Sequence, residues 1–397
     1  MKKAILALAD GAIFEGYSCG ADGSAVGEVV FNTSMCGYQE MLTDPSNHGQ
    51  IVALTYTEIG NYGINPQDME SSRPWVQGIV VRKCSEQPSN WRATMSLGEY
   101  LRENGIPAIE GVDTRMLTRH VRYNGTQAGV ITSRVDDPNA AVQMAREAAK
   151  ITDVDYVMDV THPVPRRWIG DRYEDSAPVP ERQLQLHDGD GAGQHFSFGS
   201  FGGREYEPHR HYRVVCVDCG VKQSILRCLH QHHCDVITVP ADSTAAQILA
   251  WNADGVVFSN GPGDPEVLDY LVNAARELLG QVPIFGIGLG HQILGRALGG
   301  CTFKLKAGHR GSNHPVKSLL TEHVDITYQN HGFCVDIDSL PKADVEVTHV
   351  SLNDGTCEGL RHRELPVFGV QHHPEAAPGP HDSDHLFDDF IALMAGQ

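Results

Sequence analysis

The 397-residue sequence lacks the segments that would direct it to or through a membrane. No window reaches the roughly 18 consecutive apolar residues of a membrane span. The apolar run near the N-terminus stops at Asp10-Gly11, before a signal peptide is complete. We therefore expect a cytoplasmic protein with no membrane contact, and we interpret the N-terminal segment as a β-hairpin.

Basic residues are also few. The chain has 31 Lys and Arg residues against 50 Asp and Glu residues, which gives a formal net charge of −19. No cluster of basic residues stands out, so we expect no nucleic-acid partner. A glycine-rich P-loop is missing as well, and no second domain is suited to ATP. The sequence thus predicts no cofactor and no metal site on this chain.

The ten cysteines are scattered, which excludes a disulfide framework and fits a reducing compartment. Cys216 and Cys219 form a C-x-x-C pair. A redox or zinc site would need this pair in a loop or at a helix start, and zinc would need a second pair of ligands. The segment VVCVDCG is instead typical of a buried strand that ends at a glycine, so we interpret both thiols as strand residues.

The composition and the hydrophobic periodicity of the chain change twice along its length. Residues 1–150 mix short strands, at 4–8, 29–32 and 78–82, with amphipathic helices at 96–104 and 138–150, which predicts a small α+β domain. Residues 151–211 are rich in Pro, Gly and His without helix or strand periodicity. We predict that they form a linker whose second half is mobile.

From residue 212 onward, apolar runs of four to six residues alternate with amphipathic helices of about ten residues. This alternation predicts βαβ units and a mostly parallel sheet covered on both faces. We therefore expect an α/β domain over 212–397. In such sheets the active site lies at the carboxyl ends of the strands, so the loops after the strands are the candidate sites.

The loop after the fourth of these strands has the layout of a nucleophile elbow. Gly286 and Gly290 stand two residues before and two residues after its centre, and a helix follows at once. The central residue is Gly288, which has no side chain. A dinucleotide-binding loop is the alternative, but it needs a third glycine where His291 stands and should follow the first strand of the domain. An α/β hydrolase is excluded because the centre is neither Ser nor Cys.

Two further segments are candidates for chemistry. His373 and Glu375 follow an apolar strand at 366–371, and residues two apart on an extended segment point the same way, so the carboxylate could orient an imidazole base. By itself this pair fits an ordinary surface loop equally well. The loop SNGPGDP at 259–265 could direct backbone N–H groups at an oxyanion, although alone it is simply a good turn.

In this order, SNGPGDP, GIGLGHQ, QNHGF and Q-x-HPE resemble the triad-type, class I glutamine amidotransferases, apart from glycine in place of cysteine. Residues 27–63 and 109–122 resemble the N-terminal domain of carbamoyl phosphate synthetase small subunits. The run GHRGSNHPVK and the ending from residue 373 are similar to that family too. The resemblance covers the chain apart from about 185–211, and it implies a flavodoxin-like C-terminal domain after a smaller α+β domain.

The resemblance also implies roles for particular residues. Gly288 occupies the nucleophile position, His373 resembles the general base and Glu375 its orienting acid. The backbone N–H groups of Gly263 and Leu289 would form the oxyanion hole. His372 departs from the small or aromatic residue that is usual before the base. The implied glutamine contacts are Ser46, Gly261, Gly263, Leu289, Gln292, Asn330, Gly332 and Phe333.

The missing thiol leaves two hypotheses for the function of the chain. In the first, the chain is the glutaminase subunit of a carbamoyl phosphate synthetase whose glutaminase activity is lost, because covalent catalysis cannot begin without a nucleophile. In the second, it is a non-catalytic partner that binds and regulates the synthetase subunit. Both imply a large-subunit partner that holds ATP and Mg²⁺, with L-glutamine as the ligand of this chain. Glycine at 288 would also relieve the strained backbone of an elbow, so the fold should survive it.

Overall fold

The computed structural model describes residues 2–134, 137–174 and 211–396. The predicted mobile half of the linker lies almost entirely outside these residues. The described chain forms two sheets, a closed seven-stranded barrel near the N-terminus and an eleven-stranded sheet. None of the helices in the described ranges is both long and apolar enough to cross a membrane.

The barrel contains seven strands, and four helices accompany it. The strands are β1 Lys3–Leu8, β2 Ile13–Ser18, β3 Ser24–Asn32, β4 Gln50–Leu54, β5 Gly78–Val80, β6 Ala108–Glu110 and β7 Gln127–Thr132. The helices are α1 Tyr38–Thr43, α2 Leu97–Glu103, α3 Thr114–Asn124 and α4 Pro138–Glu147. The strands close in the order β1-β2-β6-β5-β4-β3-β7.

Alternating apolar residues explain how this barrel holds together. Leu6, Ile51 and Ile109 come from three different strands and are completely buried in one apolar cluster. The predicted N-terminal hairpin is confirmed, because β1 pairs with β2 in antiparallel fashion around Gly11, which has a φ of 98°. The predicted helix at 96–104 is α2, and Ser96 and Glu99 form a capping box at its start.

The second sheet contains the remaining eleven strands. They are β8 Arg166–Ile169, β9 Arg172–Glu174, β10 Tyr212–Asp218, β11 Cys234–Pro240, β12 Gly255–Phe258, β13 Ile284–Ile287, β14 Thr302–Ser318, β15 Val324–Val335, β16 Val345–Ser351, β17 Cys357–His362 and β18 Val367–Val370. The helices that go with it are α5 Val157–Val160, α6 Gln223–Gln231, α7 Ala245–Leu249, α8 Asp269–Leu278, α9 Leu289–Ala297 and α10 His385–Met394.

The centre of this sheet is the predicted parallel part, in which β18, β13, β12, β10 and β11 lie side by side and parallel. Its strands are apolar throughout because helices cover both faces and build one core on each side. Cys216 and Cys219 are completely buried in these two cores, which confirms that they are strand and strand-end residues. Strands β14 to β17 extend the sheet in antiparallel fashion.

The linker prediction for 151–211 needs a correction. Its first part supplies β8 and β9, and β8 pairs with β11 in antiparallel fashion at the edge of the second sheet. The physical reason is Trp168, which is 2% exposed and belongs to the apolar core below β11. Arg167 adds a 2.7 Å ion pair with Asp235 on β11. A single buried tryptophan after two arginines gives no hydrophobic periodicity, so the sequence analysis missed the strand.

Direct hydrogen bonds join the barrel to the second sheet. The Thr126 N–H donates to the carbonyl oxygen of Lys306 at 2.9 Å, and the Thr33 N–H donates to that of Arg310 at 3.2 Å. Both acceptors lie on β14, the longest strand. The loop around Asp44 is thereby brought against the carboxyl ends of the parallel strands, where the candidate site lies.

Candidate active site

A sharp turn joins β13 to α9, and Gly288 stands at its centre. Gly288 has a φ of 59° and a ψ of −110°, a conformation that residues with a side chain rarely adopt. Its N–H donates to the carbonyl oxygen of Val370 at 2.9 Å, and the N–H of Gly290 donates to that of Ser259 at 3.0 Å. Hydrogen bonds to both neighbouring strand ends therefore fix the turn.

The three glycines of this turn differ in the space around them. A Cβ on Gly290 would overlap the carbonyl oxygen of Phe258, and a Cβ on Gly286 would come within 2.7 Å of the backbone of Gly290. A Cβ on Gly288 would meet nothing closer than Asn260, at 3.5 Å. The flanking glycines are therefore required by close packing, whereas position 288 has room for a side chain.

The structure brings His373 and Glu375 together just after β18. Nδ1 of His373 lies 2.8 Å from Oε1 of Glu375. Because a carboxylate only accepts hydrogen bonds, Nδ1 carries the proton and Nε2 keeps a free lone pair. The His373 N–H donates to the Tyr328 carbonyl oxygen at 3.0 Å, which fixes the segment. The imidazole is thus oriented as a base.

Lys222 completes this group, and sequence analysis missed it. Its ammonium group is completely buried and donates to Oε1 of Glu375 at 2.7 Å. Burial alone would raise the pKa of Glu375, but the nearby charge of Lys222, together with His373, holds that pKa at about 2. Burial would likewise lower the pKa of Lys222, yet Glu375 and Glu70 raise it. Glu375 is therefore a carboxylate at neutral pH.

A single pocket contains the predicted residues, apart from Glu375, which lies behind His373. Those that line it are Ser46, Gly261, Gly263, Gly288, Leu289, Gln292, Asn330, Gly332, Phe333 and His373. Further residues in its wall are Glu28, Gln50, Ile151, Asn260, Arg310 and His331. His372 does not line this pocket, and its side chain is completely buried. Residues from both sheets therefore face the same space.

Free backbone donors also face this pocket. Within residues 2–134, 137–174 and 211–396, no hydrogen bond uses the N–H of Gly263 or that of Leu289. Leu289 is the first residue of α9, where helix N–H groups have no partner inside the helix and the helix dipole favours negative charge. The two N–H groups are thus available to an oxyanion.

Asp44 and Asn260 hold the pocket wall in place. The Asn260 side-chain amide donates to Oγ of Ser46 at 2.9 Å, and the Asn330 amide donates to the Asp44 carboxylate at 2.9 Å. Gln292 is fixed in the same way, because its amide donates to the carbonyl oxygen of Phe333 at 2.8 Å. Asn260 lies within the SNGPGDP loop, so that motif was the available signal for it.

Comparison with known proteins gives consistent matches over the whole chain. The family model described as carbamoyl-phosphate synthase small chain, CPSase domain, matches residues 6–131, and that of class-I glutamine amidotransferase matches residues 215–393. The carbamoyl phosphate synthase small chain of Syntrophotalea carbinolica is 50% identical, with 99% of this chain and 98% of that protein covered.

Two other relatives bear the same name and show similar identity. The small chain of a Synechococcus species is 49% identical, with 98% of this chain and 93% of that protein covered. The small chain of Akkermansia muciniphila is 48% identical, with 99% of this chain and 98% of that protein covered. The alignment thus includes both sheets and the segment between them.

Proposed function

The chain belongs to the family of carbamoyl phosphate synthase small chains, and we propose that it is a glutamine-binding subunit in which Gly288 has replaced the nucleophile. An intact subunit of this kind hydrolyses glutamine and supplies ammonia to a large subunit. The large subunit uses ATP and Mg²⁺ to make carbamoyl phosphate for pyrimidine and arginine synthesis. In this chain the glutaminase half-reaction is lost.

The observation that carries this proposal is the room around Gly288. The turn is a positive-φ strand-to-helix corner, and a Cβ at its centre would touch Asn260 only at ordinary van der Waals distance. His373, with Nε2 free to accept a proton, lines the same pocket. A thiol at 288 would therefore stand in front of an oriented base.

The chemistry of a restored thiol follows from these groups. His373 would take the thiol proton, while the Glu375 carboxylate stabilises the resulting imidazolium. The thiolate would attack the amide carbon of glutamine, and the N–H groups of Gly263 and Leu289 would receive the oxyanion. Ammonia would leave with the proton returned by His373, and water would then hydrolyse the thioester. Without a nucleophile the first bond cannot form.

Restoring the nucleophile tests the proposal directly. We expect Gly288→Cys, assayed with its large subunit, to release glutamate at least about 1,000-fold faster than Gly288→Ala, since removal of a triad nucleophile costs on the order of a millionfold. Gly288→Ala is the matched control because it adds the Cβ without the thiol. Equal rates in the two variants would show that 288 is not the nucleophile position.

The second hypothesis is a non-catalytic partner that binds and regulates the synthetase subunit and still senses glutamine. The wall residues that fix Ser46 and Asn330 do not involve position 288, so binding should persist without reaction. We expect calorimetry of the complex to show saturable glutamine binding with no glutamate formed, and carbamoyl phosphate synthesis to require added ammonium. Absence of binding heat at millimolar glutamine would contradict the assignment of the pocket.

A further inference from the structure

Three buried ligating atoms converge beside the pocket, outside the His373 group. They are Nδ1 of His309 on β14, Nε2 of His331 on β15 and Oε1 of Glu358 on β17, and all lie within 4.8 Å of one another. His309 is 9% exposed, His331 is 8% exposed and Glu358 is completely buried. In the part of the chain that the structure describes, none of these three atoms has a hydrogen-bond partner.

The other atom of each side chain is fixed by a neighbour. Nε2 of His309 lies 2.8 Å from the Asp354 carboxylate, and Nδ1 of His331 lies 2.8 Å from the Phe333 carbonyl oxygen. Carboxylates and carbonyls only accept, so both of these nitrogens carry protons. The second oxygen of Glu358 accepts a 2.7 Å hydrogen bond from the amide of Gln329.

With both imidazoles neutral and Glu358 ionised, these hydrogen bonds leave three lone pairs facing one another. The Nδ1 of His309 is 3.6 Å from Oε1 of Glu358, and the Nε2 of His331 is 4.0 Å from it. Both distances are too long for a hydrogen bond. A water molecule has two hydrogens and can satisfy two of three acceptors, whereas a cation satisfies all of them.

We propose that His309, His331 and Glu358 bind a divalent transition-metal ion of the zinc class. Two imidazoles and one carboxylate are donors that zinc accepts, while Mg²⁺ and Ca²⁺ prefer oxygen ligands alone. Ligands of tetrahedral zinc, at about 2.0–2.1 Å from the ion, stand about 3.3–3.4 Å apart. The three atoms are up to 4.8 Å apart, so side-chain rotation has to shorten the separations by up to about 1.4 Å, and a water molecule supplies the fourth position.

The surrounding hydrogen bonds fit this assignment. Histidines that bind metals donate their other N–H to a carboxylate or a backbone carbonyl, which sets the tautomer. Asp354 plays that part for His309, and Phe333 plays it for His331. His372 is not a ligand in this arrangement, since its Nδ1 is 3.9 Å from the other oxygen of Glu358. The ion would tie β14, β15 and β17 together behind the pocket wall.

The ion would also act on the pocket through His331. This residue lines the pocket between Asn330 and Gly332, two of the predicted glutamine contacts. Coordination of His331 would therefore fix the backbone of β15 at the point where it forms the wall. The site adds a positioning element to the pocket and takes no part in bond breaking.

Zinc itself is the probe for the test. The purified full-length chain, stripped with a chelator and titrated with Zn²⁺ against a chromophoric competitor, should bind one equivalent that Glu358→Gln weakens at least about 100-fold. Asp354→Asn should weaken it about 10–100-fold, as expected for a residue that orients a ligand. His323→Gln is the matched control, because His323 is an exposed histidine paired with Asp325. Its affinity should equal that of the unaltered chain.

Cobalt substitution gives a readout that is independent of affinity and of glutamine. Co²⁺ should give the visible absorption of a four-coordinate ion in the unaltered chain and in His323→Gln, and not in His309→Gln or Glu358→Gln. If Glu358→Gln fails to fold, the test relies on His309→Gln, which should lose the cobalt absorption, and on Asp354→Asn, which should bind zinc more weakly. The proposal is overturned if no equivalent of zinc binds, or if zinc binds equally to all of these variants, which would place it on other histidines or cysteines.

Discussion

Two buried groups each contribute one histidine to the pocket wall, and their charges are balanced differently. The first group is His373, Glu375 and Lys222, and the second is His309, His331 and Glu358. In the first group, Lys222 neutralises Glu375 and keeps its pKa at about 2. In the second, Glu358 is equally buried, and among the described residues no lysine or arginine forms an ion pair with it, so burial raises its pKa. A buried carboxylate needs a positive charge. The first group contains its cation within the fold, and the second has a place for one.

The largest effect should come from removing the base of the first group. In the Gly288→Cys protein, we expect His373→Ala to lower the rate of glutamate release on the order of 10⁴-fold, because a thiol without its base is weakly activated. In the Gly288 protein the same change should leave glutamine-binding heat measurable. Loss of binding in both backgrounds would mean that His373 supports the fold of the pocket instead.

Replacement of Lys222, the buried cation of the first group, should destabilise the fold. We expect Lys222→Met to lower the free energy of unfolding by about 3–5 kcal/mol, because it leaves the Glu375 carboxylate buried without its lysine partner. Denaturant unfolding measures the change. Lys2→Met, which removes an exposed ion pair with Asp22, is the control and should cost less than about 1 kcal/mol. A similar cost for both variants would show that the burial of Lys222 does not matter.

Acid should weaken the first group over a defined range of pH. The pKa of Glu375 falls from 4.5 to about 2 on folding, so its contribution is complete above pH 4.5 and is lost as the pH falls toward 2. The shift corresponds to at most about 3 kcal/mol. The reference is the neutral double variant Lys222→Met/Glu375→Gln. Denaturant unfolding is measured for both proteins from pH 3 to 7. Below pH 4.5, the free energy of unfolding of the unaltered chain should fall relative to that of the double variant. A constant difference would contradict the ion pair.

The smallest effect on stability should come from adding a side chain at position 288. Gly288→Ala should cost about 1–3 kcal/mol, because the space is sufficient and the positive φ alone opposes a side chain. Gly290→Ala should cost more, since its Cβ overlaps the carbonyl oxygen of Phe258. Thermal unfolding of the two variants separates the two effects, because Gly288→Ala reports backbone strain and Gly290→Ala reports steric overlap. A larger loss for Gly288→Ala would mean that no side chain fits this turn.

The two groups also differ in how far the sequence reveals them. His373 and Glu375 are two residues apart, and Gly288 lies between two glycines, so local patterns singled out both segments and the family resemblance implied their roles. Lys222 is 153 residues from Glu375, and an isolated lysine at a helix start gives no signal of burial. His309, His331 and Glu358 lie on three strands whose pairing is set by long-range contacts, so no spacing indicates them.

The fold shows the same contrast. The parallel strands from 212 onward are short apolar runs that alternate with amphipathic helices, and their parallel arrangement was predicted correctly. The closure of the first seven strands into a barrel was not predicted, because closure depends on the pairing of β1 with β7, which are more than 100 residues apart. Strand β8 was not predicted because its only fully buried side chain is Trp168, and one buried residue gives no periodic pattern.

The pocket at the junction of the two sheets has a thermodynamic consequence. Asp44 and Ser46 come from the barrel, whereas Asn260 and Asn330 come from the second sheet. A ligand that fills this pocket binds the docked arrangement and not the separated halves, so it stabilises docking by about 2.7 kcal/mol at a hundred times its dissociation constant. If the ligand is glutamine, as proposed, its supply would strengthen the docking of the two halves of a single polypeptide.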